Sequence, residues 1–240
     1  SIPYVGSGVL ASSVAMDKTF AKPIYADFGL TVADGLTIAK RDWDSNQDME
    51  IAKISALGFP LFIKPARSGS SRGTRKVKNA NEIVDAIEEA HRHDPRAMVE
   101  VAIVGREIEC AVLETNGKVE ASILGEVRVH APHEFYDFEA KYLDGATTFD
   151  IPADLSEGLS KKIRELAITA FLALGCEGLA RVDFFLSKDG EIIINEVNTM
   201  PGFTPRSVYP MLWAASGINY TDLISRLFQT ALSRSQNVIR

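Results

Sequence analysis

The sequence is poor in the residues that build disulfide and metal–thiolate chemistry. Cys110 and Cys176 are its two cysteines, far apart and each inside an apolar run. They offer no disulfide framework and read as two buried thiols in a reducing compartment, the cytosol. Histidine is also scarce, with four residues in 240. His91 and His93, in "HRHD" at the end of a predicted helix, read as polar cap residues rather than metal ligands, and His130 and His133 as solvent-facing. Basic excess is missing: the formal net charge is −6 and no basic stripe stands out, which argues against a nucleic-acid partner. No run approaches the roughly 18 apolar residues of a membrane span. A basic-then-apolar signal pattern is missing from the N-terminus, which begins at Ser1 without methionine, so the chain is expected to be a piece of something longer.

What is present is an ordinary globular composition, with enough chain for one large domain or two small ones. Residues 10–29 read as a helix that bends or breaks near 22, because Pro23 is awkward in a helix interior. Residues 30–39 look extended, and 46–57 helical up to Gly58. A strand at 59–66, a loop at 67–73, a strand at 75–77, a helix at 80–92 and a strand at 96–103 follow. The segments 106–114, 118–123 and 125–129 read as a strand meander with Asn116-Gly117 as a hairpin turn. Residues 130–150 carry aromatic and charged residues without a period and are long for a connector, as functional loops are. A helix at 156–174, a hairpin at 181–198 and helices near 206–216 and 220–236 complete the chain. Strands and helices run in blocks, so the fold class is α/β of the α+β kind. There is no internal repeat.

The hairpin "RVDFFLSKDGEIIINEVN" (181–198) places charge where apolar alternation dominates. If Asp189-Gly190 is a two-residue turn, Lys188 faces Glu191, Asp183 faces Glu196 and Arg181 faces Asn198. All four then share one face. Directly opposed carboxylates repel across about 4.5–5.5 Å. A hard divalent cation would reverse that penalty, and Asp183, Glu196 and Asn198 offer oxygen ligands alone, which suits Mg2+ rather than zinc. A solvated surface hairpin is the plainer alternative, and a longer turn would shift the register.

"FIKPARSGSSRG" (62–73) supplies a complementary phosphate side. Lys64 ends an apolar strand, and Gly69, Ser70, Ser71 and Gly73 make a loop whose N–H groups can approach an anion. The G-x-x-x-x-G-K-[ST] spacing of a P-loop is missing. Taken with "LASSVAMDK" (10–18), "VEVAIVGREIECAVL" (99–113), "FYDFEAKY" (135–142), "GLARVDFFL" (178–186) and "NEVNTMPGFTPRSVYP" (195–210), these segments closely resemble the D-alanine–D-alanine ligases, ATP-grasp enzymes of peptidoglycan synthesis.

The resemblance implies two subdomains whose sheets sandwich ATP: residues 1–102, and residues 103–240 with the metal site and a lid loop at 130–150. The family's N-terminal substrate domain has no counterpart here, which leaves open a chain that binds Mg-ATP and ligates nothing. Lys18 and Lys64 would contact ATP phosphates, with Gly69, Ser70, Ser71 and Gly73 folding over them. Glu100, Val101 and Ile103 would meet the adenine, and Glu107 the ribose. Asp183, Glu196 and Asn198 would hold two Mg2+ ions, with Mn2+ as a possible substitute. Arg181 and Lys141 would face developing negative charge, Tyr142 and Ser70 would orient the substrates, and Gly202 and Ser207 would meet the second D-alanine. The implied reaction joins two D-alanines through an acyl phosphate, in the cytoplasm, in an enzyme that is homodimeric at full length. Tyr142 favours an amine acceptor and does not separate D-alanine from D-serine. The "KYL" and "NTMPGFT" segments fit dipeptide ligases better than glutathione synthetase or carboxylase types.

Overall fold

The computed structural model describes residues 2–129 and 147–234. Its first sheet joins Gly35–Ala39 (β1), Leu61–Pro65 (β2), Arg75–Val77 (β3) and Arg96–Val101 (β4) in the antiparallel order β1-β4-β2-β3. Leu61, Ile63 and Pro65 of β2 are buried, while Phe62 and Lys64 between them are half-buried. That alternation gives the sheet one core face and one face toward the rest of the molecule. The core face packs against the helix Ile83–His91, whose Ile83, Ala86, Ile87 and Ala90 follow helical spacing.

The second sheet joins Gly105–Thr115 (β5), Lys118–Val129 (β6), Thr147–Asp150 (β7), Leu179–Ser187 (β8) and Ile192–Asn198 (β9) in the order β7-β6-β5-β8-β9. Asn116 and Gly117 both have positive φ, 52° and 75°, as expected for the hairpin turn between β5 and β6. Ile108, Cys110 and Val112 of β5 join one core with the helix Glu157–Ala173. Ala111 and Leu113, on the opposite face, pack with Tyr209 and Leu212 of the helix Val208–Ala215 and Leu223 and Leu227 of the helix Tyr220–Ser233. Both cysteines are free and buried, and burial pushes their thiols up to about 12 for Cys110 and about 11 for Cys176.

Several expectations change. The 10–29 helix is two helices, Val9–Met16 (α1) and Lys18–Asp27 (α2), and the break falls at Asp17 rather than near 22. Asp17 is extended, with φ −97° and ψ 98°, and its carboxylate accepts from the Thr19 backbone N–H at 3.1 Å. A side-chain cap therefore sets the boundary, and Pro23 is accommodated inside α2. A short helix at Lys40–Ser45 precedes the one at Gln47–Ser55. The last four residues of the 130–150 segment form β7, paired with β6. The boundary expected at 102/103 falls between β4 and β5, while α1 and α2, ahead of it, pack into the core of the second sheet.

Candidate active site

A cavity of about 550 Å3 opens between the two sheets. From the first sheet it is lined by Phe62, Lys64 and Glu100, and from the second by Glu107, Val127 and Phe185. Val101, Ala102 and Ile103, the strand end that leads from one sheet to the other, line it as well. Lys18, Lys22, Ser70, Ser71 and Glu196 also reach it.

Lys18 is the first residue of α2, and the capping residue before it fixes its direction. The Asp17 carboxylate pairs with Arg96, which also donates to Thr19 Oγ1 at 2.9 Å and lies over the Phe20 ring at 5.1 Å. The Lys18 backbone N–H donates to the Ala66 carbonyl at 3.1 Å, tying the start of α2 to the end of β2. Lys18 Nζ then meets Glu196 Oε2 at 2.9 Å. Burial works against this ammonium, but Glu196, Glu100 and Asp17 outweigh it and raise its pKa.

Glu100 is buried, and its carboxylate sits between two lysines. One oxygen pairs with Lys22 and the other with Lys64. Burial alone would raise this carboxyl; Lys64 and Lys22 reverse that and hold it at about 2. Burial lowers the pKa of Lys22 despite Glu100. Lys22 was not singled out from the sequence, although its i+4 spacing from Lys18 on one helix face was a usable signal.

The loop after β2 carries consecutive left-handed residues, Ser70 at φ 52° and Ser71 at φ 55°. Such a backbone turns successive N–H groups inward and forms a concavity suited to anions. Gly73, at φ +73°, closes the loop where a Cβ would come within 2.4 Å of His93 Cδ2 and 3.0 Å of Pro65 Cγ.

On the hairpin, Arg181 faces Asn198 and Asp183 faces Glu196, as expected. The turn differs. Ser187 accepts from the Gly190 N–H at 3.0 Å and donates its own N–H to Glu191 at 2.9 Å, so Lys188, Asp189 and Gly190 make a three-residue loop. A bulge at Asn195, between the Asp183 and Phe184 pairings, then restores the register at the far end. Arg181 grips Asp183 with two bonds, Nε to Oδ1 at 2.7 Å and Nη2 to Oδ2 at 2.8 Å. Asn198 Nδ2 donates to Asp183 Oδ2 at 2.9 Å. Burial opposes the arginine charge, but Asp183 and Glu109 raise its pKa well above the ordinary value. Glu109, a buried carboxylate across from Asp183 on β5, was missed, because sequence gives no register between strands so far apart.

The donor set at the hairpin is two carboxylates and an amide, all oxygen. It fits a hard divalent cation that completes its shell with water and phosphate. Such an ion would replace Arg181 and Asn198 Nδ2 on Asp183, and Lys18 on Glu196, with Asn198 turned to present its oxygen. Among the described residues no three His, Cys, Asp or Glu side chains converge in metal-holding geometry.

The cavity thus gathers Lys18, Lys64, Ser70, Ser71, Glu100, Val101, Ile103, Glu107 and Glu196, and the hairpin continues from it to Asp183, Arg181 and Asn198. Gly69 and Gly73 lie on the same loop as Ser70. Gly202 and Ser207 lie after β9, where Ser207 Oγ accepts from the Thr204 N–H at 3.0 Å and a Cβ on Gly202 would approach it to 3.1 Å. They do not line the cavity. Lys141, Tyr142, His130 and His133 lie outside the described residues.

Comparison with known proteins follows the same lines. The family model described as "D-ala D-ala ligase C-terminus" matches residues 24–229. A D-alanine–D-alanine ligase of Streptomyces griseus subsp. griseus is 49% identical over 238 residues, covering 98% of this chain and 61% of its own. One of Mycolicibacterium gilvum is 50% identical over 239 residues, covering 97% and 64%. The chain thus spans about three-fifths of the length of the curated relatives it matches. Among solved structures, the VanG D-Ala:D-Ser ligase of Enterococcus faecalis superimposes with a TM-score of 0.85 at 36% identity, over 96% of this chain and 65% of that one. The D-alanine–D-alanine ligase of Coxiella burnetii does so with a TM-score of 0.81 at 39% identity, over 97% and 61%. With an ATP-grasp fold and a family match over most of its length, this chain belongs to the D-alanine–D-alanine ligase family, in its C-terminal region.

Proposed function

We propose that the protein joins two D-alanines at the expense of ATP, and that this chain carries the nucleotide and metal half of the site. The observation that carries this reading is the cavity between the two sheets, with Lys18 and Lys64 in its lining and the Asp183–Glu196–Asn198 face next to it. The base lies against the strand end Val101–Ile103 and between Phe62 and Phe185, and Glu107 meets the ribose. Glu100, whose carboxylate is held by Lys22 and Lys64, is a fixed counter-charge behind the phosphates. Lys18 and Lys64 turn from their carboxylates to phosphate oxygens, and the N–H groups around Gly69, Ser70, Ser71 and Gly73 close over them.

Asp183, Glu196 and Asn198 would hold two Mg2+ ions, which supply positive charge to the phosphates and fix their geometry. The first D-alanine carboxylate takes the γ-phosphoryl group to give an acyl phosphate. The amine of the second D-alanine then displaces phosphate through a tetrahedral oxyanion, which Arg181 stabilises with its planar N–H fork. Lys141 faces the developing negative charge, Tyr142 and Ser70 orient the substrates, and Gly202 and Ser207 meet the second D-alanine. The reaction takes place in the cytoplasm, and the full-length enzyme is a homodimer.

Two observations favour narrower readings. The chain covers 61–64% of its curated relatives, which favours a nucleotide-binding half that needs further residues to ligate. One solved relative is named a D-Ala:D-Ser ligase, which brings D-serine in as an alternative acceptor. Phosphate release from ATP and Mg2+, measured with D-alanine, D-serine or D-lactate, tests all three. Release dependent on D-alanine supports the ligase, and release dependent on D-serine changes the acceptor. Nucleotide binding without release supports the half-site. The absence of both binding and release refutes the proposal.

A further inference from the structure

Glu109 is almost fully buried on β5, and no step of the proposed ligation uses it. Register places it directly across from Asp183, and Asp183 directly across from Glu196, so three carboxylates stand in a row over three strands. Like charges so placed repel. Arg181 relieves the first contact: its Nε lies 2.7 Å from Asp183 Oδ1 and 3.3 Å from Glu109 Oε2. Ala111 is the residue opposite Arg181 on β5, and its small side chain leaves the guanidinium room to lie diagonally toward Glu109.

This arrangement matters when a cation arrives. Both Asp183 oxygens are engaged, by Arg181 and by Asn198 Nδ2, so a cation that takes the carboxylate takes it from the arginine. The Arg181 side chain is 18% exposed, and a buried cation stripped of its partner is strongly unfavourable. Glu109 is the carboxylate already beside it. We infer that Glu109 is a positioning residue that keeps Arg181 at the site while Asp183 passes its carboxylate to a divalent cation. The inference rests on the metal reading proposed above. By this exchange the arginine fork stays at the reacting centre instead of competing with the metal.

Mn2+ binding to the protein with ADP, read from the spin-resonance signal of free Mn2+, tests it without reference to turnover. Glu109→Gln leaves Asp183 to bear Arg181, so Mn2+ affinity should fall on the order of tenfold, the change that about 1.4 kcal/mol of a charge-assisted contact gives. Glu109→Asp keeps the charge but shortens the reach, and should weaken Mn2+ similarly. In an Arg181→Gln background, Glu109→Gln should change Mn2+ affinity by less than about twofold, as for sites that no longer couple. A tenfold loss that persists without Arg181 overturns the inference, because Glu109 would then act on the cation directly. Unchanged affinity in both Glu109 variants, with melting temperatures confirming that they fold, overturns it too. Wild-type protein that binds ADP but no Mn2+ refutes the metal reading beneath it, a distinct failure.

Discussion

Removing the Glu100 charge is the most direct probe of how the charges lining the cavity are balanced. Glu100→Gln keeps shape but leaves Lys22 and Lys64 without the carboxylate they share. The Lys22 side chain is only 7% exposed, and breaking a buried pair by removing one partner costs about 3–5 kcal/mol. The carboxyl itself gives a second route to the number. It is held at about 2 against an ordinary 4.5, which corresponds to about 3 kcal/mol of stability. The sign is fixed by the direction of the shift. A depressed carboxyl pKa contributes stability that is fully present above the unfolded value and lost as pH falls through the folded one. The window is therefore from about 4.5 down to about 2. Thermal unfolding of the wild type and Glu100→Gln should differ by on the order of 10 °C at neutral pH, since 1 kcal/mol moves a chain of this size by about 2–4 °C. That difference should shrink steadily as pH drops across the window. Glu100→Gln with Lys22→Met should recover part of the loss, because it removes the stranded ammonium. A Glu100→Gln melting temperature within about 2 °C of wild type at pH 7 would refute the shared-carboxylate account.

Other consequences of the geometry are equally open to measurement. Asp183→Asn should weaken Mg2+-dependent nucleotide binding by at least about tenfold, because it removes a charged oxygen ligand while keeping the side chain's size. Fluorescence titration with and without Mg2+ checks this, and equal affinities would count against the hairpin metal site. Gly73→Ala should destabilise the protein by about 1–3 kcal/mol, from a left-handed φ and a Cβ driven toward His93 and Pro65, and should weaken nucleotide binding through the loop. A melt with unchanged midpoint would show that the loop relaxes freely. Cys110 and Cys176 should resist an aromatic disulfide reagent at pH 8 in the native protein and react in denaturant, because burial holds both thiols protonated. Rapid native labelling of either would contradict the buried assignment.

Much of this organisation could be read from local pattern, and the misreadings have local causes. Period-two burial marks β2, and helical spacing marks the helix at 83–91, because each element buries one face of its own. The break in the 10–29 helix was misplaced because a proline penalty was weighed without the competing cap at Asp17. Lys64 and the anion loop that follows it are contiguous in sequence and were legible as chemistry. The partners that hold them are not contiguous: Glu100 with Lys22, Glu109 with Arg181, and Arg96 with Asp17 meet through tertiary register. No periodicity within one segment reveals those pairs.

The hairpin makes the same point more sharply, because its functional register was reached through the wrong turn. With the observed three-residue loop and an unbroken ladder, Asn195 would face Asp183 and Val197 would face Arg181. Glu196 and Asn198 would then point to the opposite face, since a one-residue slip reverses every side chain. The bulge at Asn195 adds the residue that turns them back. It leaves Ile192, Ile193 and Ile194 buried near the turn while Glu196 and Asn198 align with Asp183 and Arg181. Two irregularities, each invisible to a period-two reading, cancel at the one end of the hairpin where side-chain direction decides what can bind. The bulge therefore belongs to the site as much as its carboxylates do. Deleting Asn195 should straighten the ladder with Glu196 still across from Asp183 and so keep Mg2+-dependent nucleotide binding, whereas one residue inserted between Asn195 and Glu196 should turn Glu196 and Asn198 away and abolish it. Retained binding in that insertion would mean that the register at Asp183 and Glu196 is set from elsewhere in the sheet.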